Sequence, residues 1–108
     1  MLIVVAGPYS AETEEQRTEN LDSMNIAAAE VYRKGHIPVI CVNAALFIAD
    51  KLNDLPRREV INEISFAIVE RCDAILMIGE SPGANIERDI IMKKGLRVYY
   101  SLEEIPGK

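Results

Sequence analysis

Residues that bind metals or form disulfides are scarce in this chain: one histidine and two cysteines in 108 residues, and no tryptophan. Cys41 and Cys72 form no CxxC pair, and a lone His36 cannot complete a ligand set with them, so no zinc site is expected. His36 stands between a helix stop at Gly35 and a strand start at Ile37, the place of a boundary residue rather than a catalytic base. The cysteines lie in or beside apolar segments and read as reduced core thiols. A disulfide would require an oxidising compartment that nothing else indicates. No apolar run approaches the ~20 residues of a membrane span, and Met1 enters an apolar run with no basic leader. A cytoplasmic protein that meets no membrane is expected. Positive charge is in deficit as well, 12 Lys and Arg against 17 Asp and Glu, for a net charge of −5. That balance argues against a general nucleic-acid binder but leaves room for a local basic spot that holds one phosphate.

Familiar phosphate motifs are missing too. The first predicted loop lacks the glycine spacing of a dinucleotide fingerprint, and no Walker lysine follows it. The acidic cluster and distant lysine of a receiver domain are also absent. With 49% apolar residues, the chain is long enough for one core and too short for two, so residues 1–108 are expected to form a single domain.

What is present alternates regularly. Leu2-Ile3-Val4-Val5-Ala6 is a continuous, largely β-branched run of the kind found in strands buried on both faces. Gly7-Pro8-Tyr9-Ser10 ends it. An acidic stretch follows, in which Thr13 and Gln16 have the spacing of a capping box. Leu21, Met24, Ala28, Val31 and Tyr32 then recur at helical spacing up to Gly35. A second strand is expected over Ile37–Val42. Two helices should follow, an apolar one over Ala44–Leu52 and another restarted at Asp54, whose core face reads Val60, Ile61, Ile64, Ala67 and Ile68. Ala74–Ile78 is the third strand, Pro82–Lys94 a helix stopped by Gly95, and Leu96–Tyr100 the fourth strand. A last short turn begins at Ser101. Strand–helix alternation of this kind predicts a three-layer α/β fold with a mostly parallel sheet in the order 2-1-3-4.

In such sheets ligands bind beyond the carboxyl ends of the strands, where the order reverses between strands 1 and 3. That rule gathers Gly7 to Ser10, Asn43 and the segment Ser81-Pro82-Gly83-Ala84-Asn85-Ile86-Glu87 around one crevice. Ser81 suits a helix cap, Pro82 the first turn, and Gly83 a close backbone approach. Free N–H groups at that helix end favour an anion. Glu87 is a carboxylate able to attack an anomeric carbon, and the Tyr9 hydroxyl is placed to orient it. The same pattern also describes an ordinary strand-to-helix turn with a surface carboxylate.

Val5-Ala6-Gly7-Pro8-Tyr9, Gly35-His36, Cys72-Asp73-Ala74-Ile75 and the Ser-x-Gly-x-x-x-Glu spacing of residues 81–87 together resemble the nucleoside 2-deoxyribosyltransferase superfamily. The resemblance spans nearly the whole chain. It implies a flavodoxin-like, Rossmann-like domain that cleaves or transfers N-glycosidic bonds of 2′-deoxynucleosides or their 5′-monophosphates, with no metal or organic cofactor. It implies Glu87 as nucleophile and Gly7, Pro8, Tyr9 and Ser10 as the loop at the sugar. Gly83 and Asn85 lie in the loop opposite. Ser81 stands where the monophosphate hydrolases of that group carry a phosphate-binding serine and the transferases an aspartate. The base-handling carboxylate falls near Glu63, and Arg17 is a candidate phosphate contact. Asn85, Arg88 and Asp89 depart from the hydrolase pattern. Arg88 next to Glu87 motivates the alternative, a non-catalytic nucleotide-binding or sensing module, since an ion pair there would blunt the nucleophile. The consecutive apolar residues Leu46, Phe47 and Ile48 add the expectation of a homodimer or higher homo-oligomer that closes the crevice.

Overall fold

A computed structural model of the chain describes residues 1–107. It contains four strands and four α-helices: β1 (Leu2–Ala6), α1 (Glu14–Arg33), β2 (Ile37–Val39), α2 (Cys41–Asp50), α3 (Arg57–Val69), β3 (Ala74–Met77), α4 (Pro82–Lys93) and β4 (Arg97–Tyr99), followed by a 3₁₀ turn at Leu102–Glu104. The sheet is parallel throughout, with strand order β2-β1-β3-β4. It is an α/β fold of the flavodoxin-like, three-layer kind.

The two central strands explain the layers. Residues alternate across a strand, and here both sets are covered. Ile3, Val5, Ala74 and Leu76 pack with Met24, Ala28 and Val31 of α1 and with Tyr99 and Ile105 near the C-terminus. Val4, Ala6, Ile75 and Met77 face the other way, onto Cys41, Val69, Ala84 and Ile91 of α2, α3 and α4. The edge strands β2 and β4 have only three residues each. Short edges limit the unpaired backbone offered to other chains.

Local chemistry sets the ends of α1 and α4 as the spacing predicts. Thr13 Oγ1 accepts the Gln16 N–H at 3.1 Å, but the Gln16 side chain donates to Asn20 rather than back to the cap, so only half of the capping box forms. Helices α1 and α4 are followed by Gly35 and Gly95, both with positive φ. In that region a side chain on an L-residue crowds the following carbonyl, which is why glycine stands there. His36 is buried. Its Nδ1 lies 2.9 Å from the Met1 nitrogen and its Nε2 2.6 Å from the Pro106 carbonyl. A carbonyl can only accept, so Nε2 carries the proton, and the ring ties both ends of the described chain to the α1–β2 junction.

Several details differ from the sequence reading. The second strand ends at Val39, and Ile40-Cys41-Val42 turns into α2 instead of extending to Val42. A short apolar run cannot be assigned to strand or helix by periodicity alone, and an apolar helix leads on directly from the strand. Helix α3 starts after Pro56, with no side-chain cap from Asp54. Its buried positions are Ser65 and Val69, whereas Ala67 is exposed and Val60, Ile61, Ile64 and Ile68 are half-buried. That helix packs most extensively on α2 rather than on the sheet, so its inner face is rotated from the one a sheet-packed helix would show. Tyr32, expected in the core, is exposed at the end of α1. Among the described residues, no helix is long and apolar enough to cross a membrane.

Candidate functional site

Strands β1 and β3 are neighbours, but the chain leaves their C-terminal ends toward different layers, and a crevice opens between the departing loops. The loops meet closely at its base. The Ile78 N–H donates to the Ala6 carbonyl at 2.9 Å, and a Cβ on Gly7 would come within 2.7 Å of Ile78 Cγ1. Pro8 lies over Gly79, where an added Cβ would sit 2.8 Å from Pro8 Cδ. That contact turns Pro8 away from the crevice, and the ring does not line it.

Above this base is a cavity of about 770 Å³, within the range of small-molecule sites. Gly7, Tyr9, Ser10, Arg17, Ser81, Gly83 and Glu87, all predicted site residues, line it together. The loop before α4 is built as its sequence demands. Ser81 Oγ accepts the Ala84 N–H at 3.1 Å and caps the helix, with Pro82 in the first turn. As an acceptor in the cap, the hydroxyl keeps its own proton available to donate.

Glu87 lies one turn further along α4. It is half-buried, and among the described residues it makes no hydrogen bond and no ion pair. Arg88 turns away instead, to Glu80 at 3.6 Å and Asp89 at 3.2 Å. Burial without a compensating partner disfavours the charged carboxylate and pushes its pKa up to about 7. Cys41, at the start of α2, lines the same cavity. Burial raises its pKa first and the charge of Glu87 next, so it remains a thiol. Tyr9 shares the cavity but makes no hydrogen bond to Glu87. Its backbone carbonyl accepts from Asn20 at 3.0 Å, and its ring packs against the α1 face of the core. Arg17 is positioned by donation to the Ala11 carbonyl at 2.7 Å.

Three expected residues, besides Pro8, lie elsewhere. Asn43 falls in the first turn of α2, not at a strand end, and its exposed amide donates to Asn25 at 3.2 Å. Glu63 points to solvent outside the cavity. It follows the cavity-lining Asn62 by one residue, a rotation of about 100° about α3. Asn85 is off the cavity, with its Oδ1 buried and unpartnered.

Sequence reasoning missed the wall supplied by α3. Arg58, Asn62 and Ser65 line the cavity beside Ile61 and Phe66. Their spacing of four and three residues marks a polar stripe on one helical face, a signal hidden by the apolar residues between them. Arg57 also reaches the cavity while hydrogen-bonded to Asp50 of α2. The site thus combines one unpaired carboxylate with three arginines, a free hydroxyl at a helix N-terminus and an otherwise largely apolar wall. Such an arrangement can hold an anionic ligand and present a carboxylate to an electrophilic carbon. Among the described residues no three His, Cys, Asp or Glu side chains converge as a metal site. Comparison with protein-family models and with curated proteins finds no match.

The raised pKa of Glu87 makes a stability prediction. The folded carboxyl keeps its proton up to about pH 7, whereas the unfolded one releases it near the ordinary glutamate value of 4.5. Protonation therefore favours the fold; the contribution is complete below the unfolded value and lost as pH rises through the folded one. Glu87→Gln should be more stable than the parent at pH 8, by up to about 3 kcal/mol, and nearly equal to it at pH 4. Urea unfolding of both proteins at the two pH values measures this. An equal difference at both would contradict burial of an unpaired carboxyl.

Proposed function

We propose that the chain acts on the N-glycosidic bond of a 2′-deoxynucleoside 5′-monophosphate or the corresponding nucleoside, with Glu87 as the nucleophile. The observation that carries this reading is that Glu87 is the one carboxylate among the described residues lining the cavity, and that no cation holds it. The resemblance of residues 81–87 to the nucleoside 2-deoxyribosyltransferase superfamily supports the same assignment. Glu87 attacks C1′ as the C–N bond breaks, and water or a second base then releases the sugar. Arg17, Arg58 and the Ser81 hydroxyl bind the phosphate, and Gly7 with Ser10 borders the sugar. The role of Tyr9 is to close the sugar side of the pocket, since it does not hold Glu87. The pairing of Arg88 with Glu80 and Asp89 removes the ion pair that would favour a non-catalytic sensor.

Free base should appear when the protein is incubated with deoxynucleoside monophosphates, and Glu87→Ala should lower the rate on the order of 10³-fold or more. Because the ionised form attacks, kcat/KM should rise with pH through about 7. A rate that falls over this range would make Glu87 a proton donor instead, and no release from a broad substrate panel would refute the reading.

The same proposal includes a homodimer. Phe47 is 77% exposed and Ile48 50% exposed, next to Leu46, which lines the cavity. A second copy on this surface would bury both and wall the crevice. Light scattering at micromolar concentration should give the mass of two chains, and Phe47→Glu should give one. A monomer with full activity would contradict it.

A further inference from the structure

This inference rests on Glu87 acting as the nucleophile, and it concerns the leaving group. A carboxylate that attacks in its ionised form has no proton to give, and enzymes that cleave glycosidic bonds commonly place a second carboxylic acid opposite the first to protonate what departs. Among the described residues, the cavity holds no such acid and no imidazole. Its three arginines keep their protons. The Cys41 thiol is pushed further from ionisation by burial and by the charge of Glu87. What remains are neutral hydrogen-bond donors: the Tyr9 phenol, the serine hydroxyls and the Asn62 amide. The most enclosed is Ser65, 4% exposed and lining the cavity. Serine hydroxyls and amides stabilise charge on a departing base but are too weakly acidic to protonate it, and the Tyr9 ring is held on the sugar side, against the α1 face of the core.

We propose that the site is restricted to N-glycosides whose base departs with low basicity at the glycosidic nitrogen, as an oxo-base does when it leaves as a delocalised anion. In the first step a Glu87 carboxylate oxygen bonds to C1′, the C1′–N bond breaks, and its electron pair leaves with the base. The base then takes a proton from water. In the second step water adds at C1′, the ester to Glu87 breaks, and the sugar phosphate, a proton and the free carboxylate are left. An amino-base such as cytosine, more basic at its glycosidic nitrogen and released readily only when protonated, is a poor substrate.

Single-turnover release of base from the 5-fluoro, unsubstituted and 5-methyl forms of 2′-deoxyuridine 5′-monophosphate tests this, with 2′-deoxycytidine 5′-monophosphate as the poor leaving group. The rate should fall steadily from the fluoro to the methyl compound. The cytosine nucleotide should be slower than the uracil one by on the order of 10²-fold or more, the usual contribution of a general acid. Equal rates across the uracil series, or cytosine released as fast as uracil, would reveal a proton donor, from this chain or from the second copy that walls the crevice, and overturn the inference with the glycosidic reading intact. No release from any compound would overturn that reading and this inference with it.

Discussion

The pairing of β1 with β3 is the constraint on which the rest of the structure depends. The two strands run parallel with Ile3 opposite Ala74 and Ala6 opposite Met77. Asp73 sets that register at the entrance. Its N–H donates to the Leu2 carbonyl at 2.8 Å, while its side chain accepts the Leu2 N–H at 2.8 Å. A slip of one residue would exchange the two core faces and expose both clusters. Because β1 and β3 are adjacent but followed by elements in different layers, their C-terminal ends cannot be closed by one connection. The crevice is therefore a product of topology, before any side chain is chosen for it.

Glu87 is the side chain that this topology makes expensive. A half-buried carboxyl with no partner weakens the fold at neutral pH, and a nearby arginine was available to relieve it. Arg88 instead binds Glu80 and Asp89 at the surface. Groups held in unfavourable electrostatic surroundings inside a cleft are characteristic of functional sites. The same enclosure that raises the pKa strengthens any interaction of the carboxylate with positive charge developing on a bound ligand. The arginines on the walls of the cavity favour a ligand that brings its own negative charge and so offsets theirs.

The central strands, the helix stops and the loop before α4 were legible because each rests on local chemistry: continuous apolar runs, glycine after a helix, and serine followed by proline before one. Ser81 and Glu87 could be assigned to the crevice because strand order follows from the alternation of elements. The crossover was not legible in the same way. Ile40-Cys41-Val42 suits a strand and an apolar helix equally, and the choice moved Asn43 off the crevice. In α3 the apolar residues Val60, Ile61, Ile64, Ala67 and Ile68 suggested a core face, but the helix leans on α2. Its polar positions Arg58, Asn62 and Ser65 face the cavity, and Glu63 faces solvent. Tertiary packing decided that rotation, and helical periodicity by itself does not encode which of two partners a helix will meet.

The central claim is that Glu87 forms a bond to the anomeric carbon of a bound nucleotide. It is tested most directly by trapping that bond. A 2′-fluoro-arabino analogue of deoxyuridine monophosphate carries an electron-withdrawing fluorine that slows breakdown of a glycosyl ester. After incubation with it, peptide mass spectrometry should find the fluorinated sugar phosphate on Glu87, and none on the Glu87→Gln protein. Base released from the analogue with no adduct on Glu87, or an adduct on another residue, would contradict the account.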